Sequence, residues 1–131
     1  MLDRALRLRR PGPYQLQAAI ASLHFEEQTD WAEIAALYSR LAALAPSPVV
    51  ELNRAVAVAM AEGPERGLQF IDGIEGLDEY RHLHSARADL LRRLGRADEA
   101  AEAYRRALEL ATQPAERAFL QRTLAEVTLN T

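Results

Sequence analysis

Turn signals cut this chain into pieces of helical length. They fall at PGP (11–13), QTD (28–30), PSP (46–48), EGP (62–64), a glycine-containing stretch at 73–76, Gly95 and TQP (112–114). Proline and glycine at such points end one element and begin the next. Between them apolar residues recur three and four apart, the period of a helix face. The first segment, 14–27, aligns Ala18, Ala21, Ser22 and Phe25. The second opens at Asp30, an N-cap with Glu33 as its capping-box partner, and continues through Trp31, Ile34, Ala35, Tyr38, Leu41 and Leu44. The third starts at Pro48, stops at Gly63 and presents Leu52, Ala55, Val56, Ala59 and Met60 to a core. The fourth, 64–74, is short and glycine-containing. The fifth, 77–94, ends at Gly95, which suits a left-handed C′ position. The sixth, 97–111, is the most regular, with Ala100, Tyr104, Ala107, Leu108 and Leu110. The last opens at Pro114 and lines up Phe119, Leu120, Leu124 and Val127. Links this short force antiparallel neighbours, so the helices pair into hairpins.

The composition agrees. At 131 residues the chain fits one domain. Hydrophobic residues make up 49%, mostly Ala and Leu, and aromatics only 6%, which favours closely packed helices over sheet. The absence of cysteine excludes disulfides, thiolate nucleophiles and Cys-based zinc sites. A net charge of -3 argues against a freestanding nucleic-acid binder. No apolar run is long enough to span a bilayer and no signal-peptide core appears at the start, so a soluble, cytoplasmic protein is expected. The opening LDRALRLRR reads as the end of a helix whose beginning is missing, followed by a linker through 13.

LGRADEAAEAYRRALELA resembles the second half of a tetratricopeptide repeat, with Gly95, Ala100, Tyr104 and Ala107 at the pattern's offsets. DWAEIAALYSRLAALAP overlays it through Ile34, Tyr38, Leu41 and Pro46. Repeats then begin near Gln15, Val49 and Arg81, at spacings of about 34 and 32 residues, close to the tetratricopeptide period. The expectation is an all-α, tetratricopeptide-like array over 14–131: three antiparallel hairpins near 15–48, 49–80 and 81–113, and a capping helix at 114–128. The cap's Glu116, Arg117, Gln121, Arg122 and Glu126 are expected mostly to face water. One hairpin cannot bury its apolar face alone, whereas a stack can.

A longer resemblance covers nearly the whole chain. RPGPYQLQAAIASLH, TDWAEIAALYSRL, PSPVVELNRAVAVAMAEGP, HSARADLLRRLGR and PAERAFLQRTLAE, in this order, resemble the C-terminal extension of a bacterial subgroup of extracytoplasmic-function sigma factors. In that family two DNA- and polymerase-binding sigma regions precede a tetratricopeptide-like tail. The resemblance implies a tail domain that tunes transcription initiation by touching the sigma regions of its own chain, RNA polymerase or a regulator, with no promoter contact of its own. The family often carries a longer loop where this chain has FEEQTD (25–30).

No catalytic constellation accompanies this. His82 and His84 stand two apart on different sides of a helix, and no HExxH, EF-hand, phosphate loop or GxSxG setting occurs, so no metal, cofactor or enzyme activity is expected. Arg4, Arg7, Arg9 and Arg10 read as a solvated helix face rather than a nucleic-acid contact. The partner is expected to be protein, with no membrane and the oligomeric state left open. Repeat offsets put Asn53, Arg54, His82, Ser85 and Asp89, with Arg92 and Arg93, on or near the groove lined by first helices. There an amide can clamp a peptide backbone and Arg a carboxylate. A stand-alone tetratricopeptide adaptor and a small-ligand-binding helical domain are the alternative readings.

Overall fold

A computed structural model describes residues 12–24 and 30–129. The expected helix end and basic run before Gly12, the FEEQTD loop up to Thr29, Phe25 and the side chains of Ala21, Ser22 and His24 lie outside the described residues. Within them seven helices follow one another and no strand occurs: α1 (Pro13–His24), α2 (Trp31–Leu44), α3 (Pro48–Glu62), α4 (Pro64–Asp72), α5 (Arg81–Arg93), α6 (Ala97–Leu110) and α7 (Pro114–Leu129). The protein is all-α.

Local chemistry sets most of the boundaries. The Glu33 amide donates to the Asp30 carboxylate at 3.1 Å, which satisfies an orphan donor at the start of α2. Proline occupies the first helical position of α3, α4 and α7, where its missing N–H costs nothing. Gly63 ends α3 and starts α4 with φ +110°, so the two helices turn on a single residue. α5 closes in a Schellman motif: Gly95, at φ +77°, donates to the Arg92 carbonyl at 3.0 Å, and Arg96 donates to that of Leu91 at 2.9 Å.

Several expectations are corrected. α5 begins at Arg81 and not at 77, because Leu77 is pinned in the core and the chain turns after it, Tyr80 donating to its carbonyl at 3.0 Å. α1 buries Leu16, Ala19 and Ile20 and leaves Ala18 exposed. Leu44, Met60 and Phe119, expected inward, are exposed. α4 is nine residues long, and its glycine is a packing device: Gly67 is buried, and a Cβ there would lie 2.3 Å from Ala59 Cβ. Only glycine lets α4 cross α3 at this distance.

Each helix packs on the next, and α3 also touches α5. Two apolar clusters result. Leu16, Ile34, Leu37, Leu41, Ala57 and Val58 form one, at the α1–α3 end. Leu52, Ala55, Ile71, Leu91, Tyr104 and Leu120 belong to the other, running from α3 to α7. α3 contributes to both, and Phe70 packs against both. Polar ties cross the second cluster's rim. Arg81 Nε of α5 donates to both Glu116 carboxylate oxygens of α7, at 2.7 and 3.0 Å. Arg117 Nη1 donates to the carbonyls of Leu108 and Ala111, at 2.7 and 3.0 Å, filling acceptors at the end of α6. Glu116 and Arg117 are thus half-buried structural ties and not the water-facing residues expected of them.

Candidate functional site

Two clefts meet at the α2–α3 link, and Ser47 lines both. The inner one, about 390 Å³, lies between α1, α2 and α3. Ile20, Leu41, Val49 and Val50 give it an aliphatic lining, with Gln17, Tyr38 and Asn53 as its other side chains. Among the described residues none that lines it is charged. Among the described residues neither the Gln17 nor the Asn53 amide has a hydrogen-bond partner. Ser47 precedes α3 without using its hydroxyl as a cap. Burial pushes the Tyr38 phenol up from its ordinary range, so it stays a neutral hydroxyl at physiological pH.

The outer cleft, about 610 Å³, opens where the start of α3 meets the end of α4, and Glu51, Arg54, Phe70, Ile74 and Glu75 are among its walls. Arg54 belongs here. Its guanidinium lies 4.8 Å from the centre of the Phe70 ring, whose other guanidinium neighbour is Arg66 at 5.1 Å. It reaches Glu51 only at 3.7 Å, and its buried Nε has no hydrogen-bond partner. An aromatic ring is a weak acceptor for such a donor and partly accounts for it.

The remaining sequence-chosen residues sit on α5. Asp89 is already paired, at 2.6 Å with Arg92 and 3.0 Å with Arg93. Arg93 also reaches Met60 Sδ of α3 at 3.3 Å, and Arg92 Nε donates to the Tyr104 hydroxyl at 3.3 Å. The hydrogen bond to Asp89 is the main cause of the raised Arg92 pKa. The His82 ring meets that of Tyr80 edge-on, 5.1 Å between centroids, and half-buried Ser85 lies one turn along the helix. His84 Nε2 is 2.8 Å from the Asp78 carbonyl, tying down the turn before α5. Among the described residues no group of three or more His, Asp or Glu side chains is placed to hold a metal, and no helix is long and apolar enough to cross a membrane.

Of the five residues chosen from sequence, then, only Asn53 lines the inner cleft. Arg54 follows it by one residue, and a turn of about 100° per residue carries it to the outer cleft. Gln17, Tyr38, Val49 and Val50 were missed. The signal for Gln17 was an amide beside the true apolar stripe of α1, Leu16, Ala19 and Ile20, a signal that Gln15 shares.

The chain is 53% identical over 129 residues to an uncharacterized protein of Rhizobium meliloti (strain 1021), an alignment covering 95% of this chain and 30% of that protein. The chain therefore spans less than a third of the length of the relative it matches. No family model matches the chain, and no solved structure does.

Proposed function

We propose that this chain is a non-catalytic protein-interaction domain, the tetratricopeptide-like tail of an extracytoplasmic-function sigma factor acting in the cytoplasm. It tunes transcription initiation by contact with the sigma regions, RNA polymerase or a regulator. The observation that carries the interaction reading is the inner cleft: an aliphatic lining flanked by two unbonded amides, on helices held in register by one shared helix, α3. Three hairpins, near 15–48, 49–80 and 81–113, with α7 as their cap, would give a rigid scaffold for such a surface. The sigma-factor assignment rests on the collinear motifs of the sequence. The clefts are compatible with it and do not depend on it.

The test is a promoter reporter driven by the parent protein with and without this segment. Deletion is expected to change output severalfold while the remaining protein stays soluble and abundant. Unchanged output from a well-expressed truncation would reject the regulatory role. Asn53→Ala and Arg54→Ala should be tested separately, since they line different clefts.

A further inference from the structure

We propose that Met60 is an oxidation site: a hydroperoxide converts its thioether to the sulfoxide, and the Arg93 guanidinium holds the new oxygen, fastening the end of α3 to the end of α5. This goes beyond the interaction reading and does not depend on it.

The chain has no cysteine and two methionines, so no thiol competes for the oxidant, and Met60 carries the one sulfur among the described residues. It sits in the last turn of α3 with 40% of its surface exposed, within reach of a small oxidant. Oxidising a core methionine disrupts packing, but Met60 belongs to neither apolar cluster, so the fold survives the change. What marks this sulfur is its neighbour. Arg93, the last residue of α5, donates from Nη1 to Met60 Sδ at 3.3 Å, while Nε of the same guanidinium is fixed by Asp89 at 3.0 Å. A thioether is a weak acceptor. A sulfoxide oxygen carries partial negative charge and accepts strongly, and bonds from a charged donor are about twice as strong as neutral ones. In the reaction the sulfur lone pair attacks one peroxide oxygen and the O–O bond breaks. Sulfur is oxidised by two electrons and the peroxide is reduced. The departing oxygen takes up the proton of the transferred hydroxyl and leaves as water or an alcohol. Three rotatable bonds let the methionine side chain bring its oxygen to Nη1. Asp89 uses a different N–H of the guanidinium, so no ion pair need break. α3 contributes to both clusters, so the tie acts on the helix that the two clusters share. Sulfoxide reductases reverse the step, which makes the two forms interconvertible.

The experiment treats the 131-residue chain and its Arg93→Gln and Met60→Leu variants with hydrogen peroxide. Peptide mass mapping locates the added oxygen, and urea unfolding is measured before and after. Met60 is expected to gain one oxygen while helical circular dichroism is kept. The effect of oxidation is taken within each protein, so the Asp89 pair that Arg93→Gln also loses cancels. Oxidation should shift the unfolding constant toward the folded state about fivefold more in the parent than in Arg93→Gln, the scale of one hydrogen bond. Peroxide should leave the stability of Met60→Leu unchanged. Equal effects of oxidation in the parent and in Arg93→Gln would overturn the capture of the oxygen by Arg93. A Met60 that stays reduced while Met1 is oxidised would overturn the site itself, and so would loss of helix on oxidation. A Met60→Leu variant that responds to peroxide as the parent does would assign the effect to other residues and overturn the proposal as well.

Discussion

Gly67 on α4 meets Ala59 on α3 so closely that a Cβ added to the glycine would lie 2.3 Å from that of the alanine, and 2.9 Å from the Ala55 carbonyl oxygen. Both neighbours are short and one contact is backbone, so neither can swing aside. The crossing of α4 over α3 is set by the absence of one methyl group.

Gly67→Ala should therefore destabilise the domain by about 1–3 kcal/mol, the range for overpacking a close contact. Gly73→Ala is the control, because its Cβ would meet only carbonyl oxygens at 3.6 and 3.8 Å at an ordinary helical φ of -90°. It should stay within about 0.5 kcal/mol of the parent. Urea denaturation of both variants reads the difference, and equal midpoints would remove the close-packing account.

Gly95 makes the complementary case. No atom lies within 4 Å of its missing Cβ, yet its φ of +77° belongs to the left-handed region. Gly95→Ala should cost about 1 kcal/mol through backbone conformation alone. Gly95→Asn should recover part of that, since asparagine tolerates this region better. If alanine and asparagine proved equally harmful, sterics and not φ would be at fault.

These two glycines show which parts of the molecule were legible in the sequence. Gly95, Asp30 and Pro114 act within a few residues of themselves, so their roles follow from local order. Gly67 acts on a different helix, and from sequence it reads only as a weak point in 64–74. Helix existence followed from turn signals, but helix faces did not always. Ala18 lost to the larger stripe of Leu16, Ala19 and Ile20, which buries more apolar surface. Phe119 stays outside because the described residues place no further helix over that side of α7. In the candidate site, Asn53 was recognisable as an amide in an apolar run. The loss of Arg54 to the Phe70 ring and of Asp89 to its arginines depends on side-chain directions that spacing does not encode.

α7 is held by polar ties as well as by Leu120 and Val127. Arg117 fills the Leu108 and Ala111 carbonyls at 2.7 and 3.0 Å, and a half-buried acceptor left without its donor costs about 1–3 kcal/mol. Arg117→Met keeps the aliphatic stem and removes the donors. It should speed hydrogen exchange in α7 more than in α3, which stands at the other end of the second cluster. Uniform acceleration through every helix would indicate a global loss instead of a loosened α7.

Alkaline titration tests the half-buried phenol of Tyr38 and the buried one of Tyr104. Burial raises the pKa of Tyr104 against the opposing hydrogen bond from Arg92, and burial raises that of Tyr38. Both folded values lie above the ordinary 10.0, so the native state holds these protons longer than the unfolded chain does. Their contribution to stability is complete below pH 10.0 and is lost as pH climbs from there through the folded values. The tyrosinate absorbance of Tyr38 and Tyr104 should accordingly rise only above pH 10.0, and that rise should track loss of helical circular dichroism. Tyr104→Phe should flatten the alkaline fall in stability while giving up the Arg92 bond at lower pH. Ionisation of Tyr38 and Tyr104 at or below pH 10.0, with the helices intact, would mean that the phenols on α2 and α6 are open to solvent.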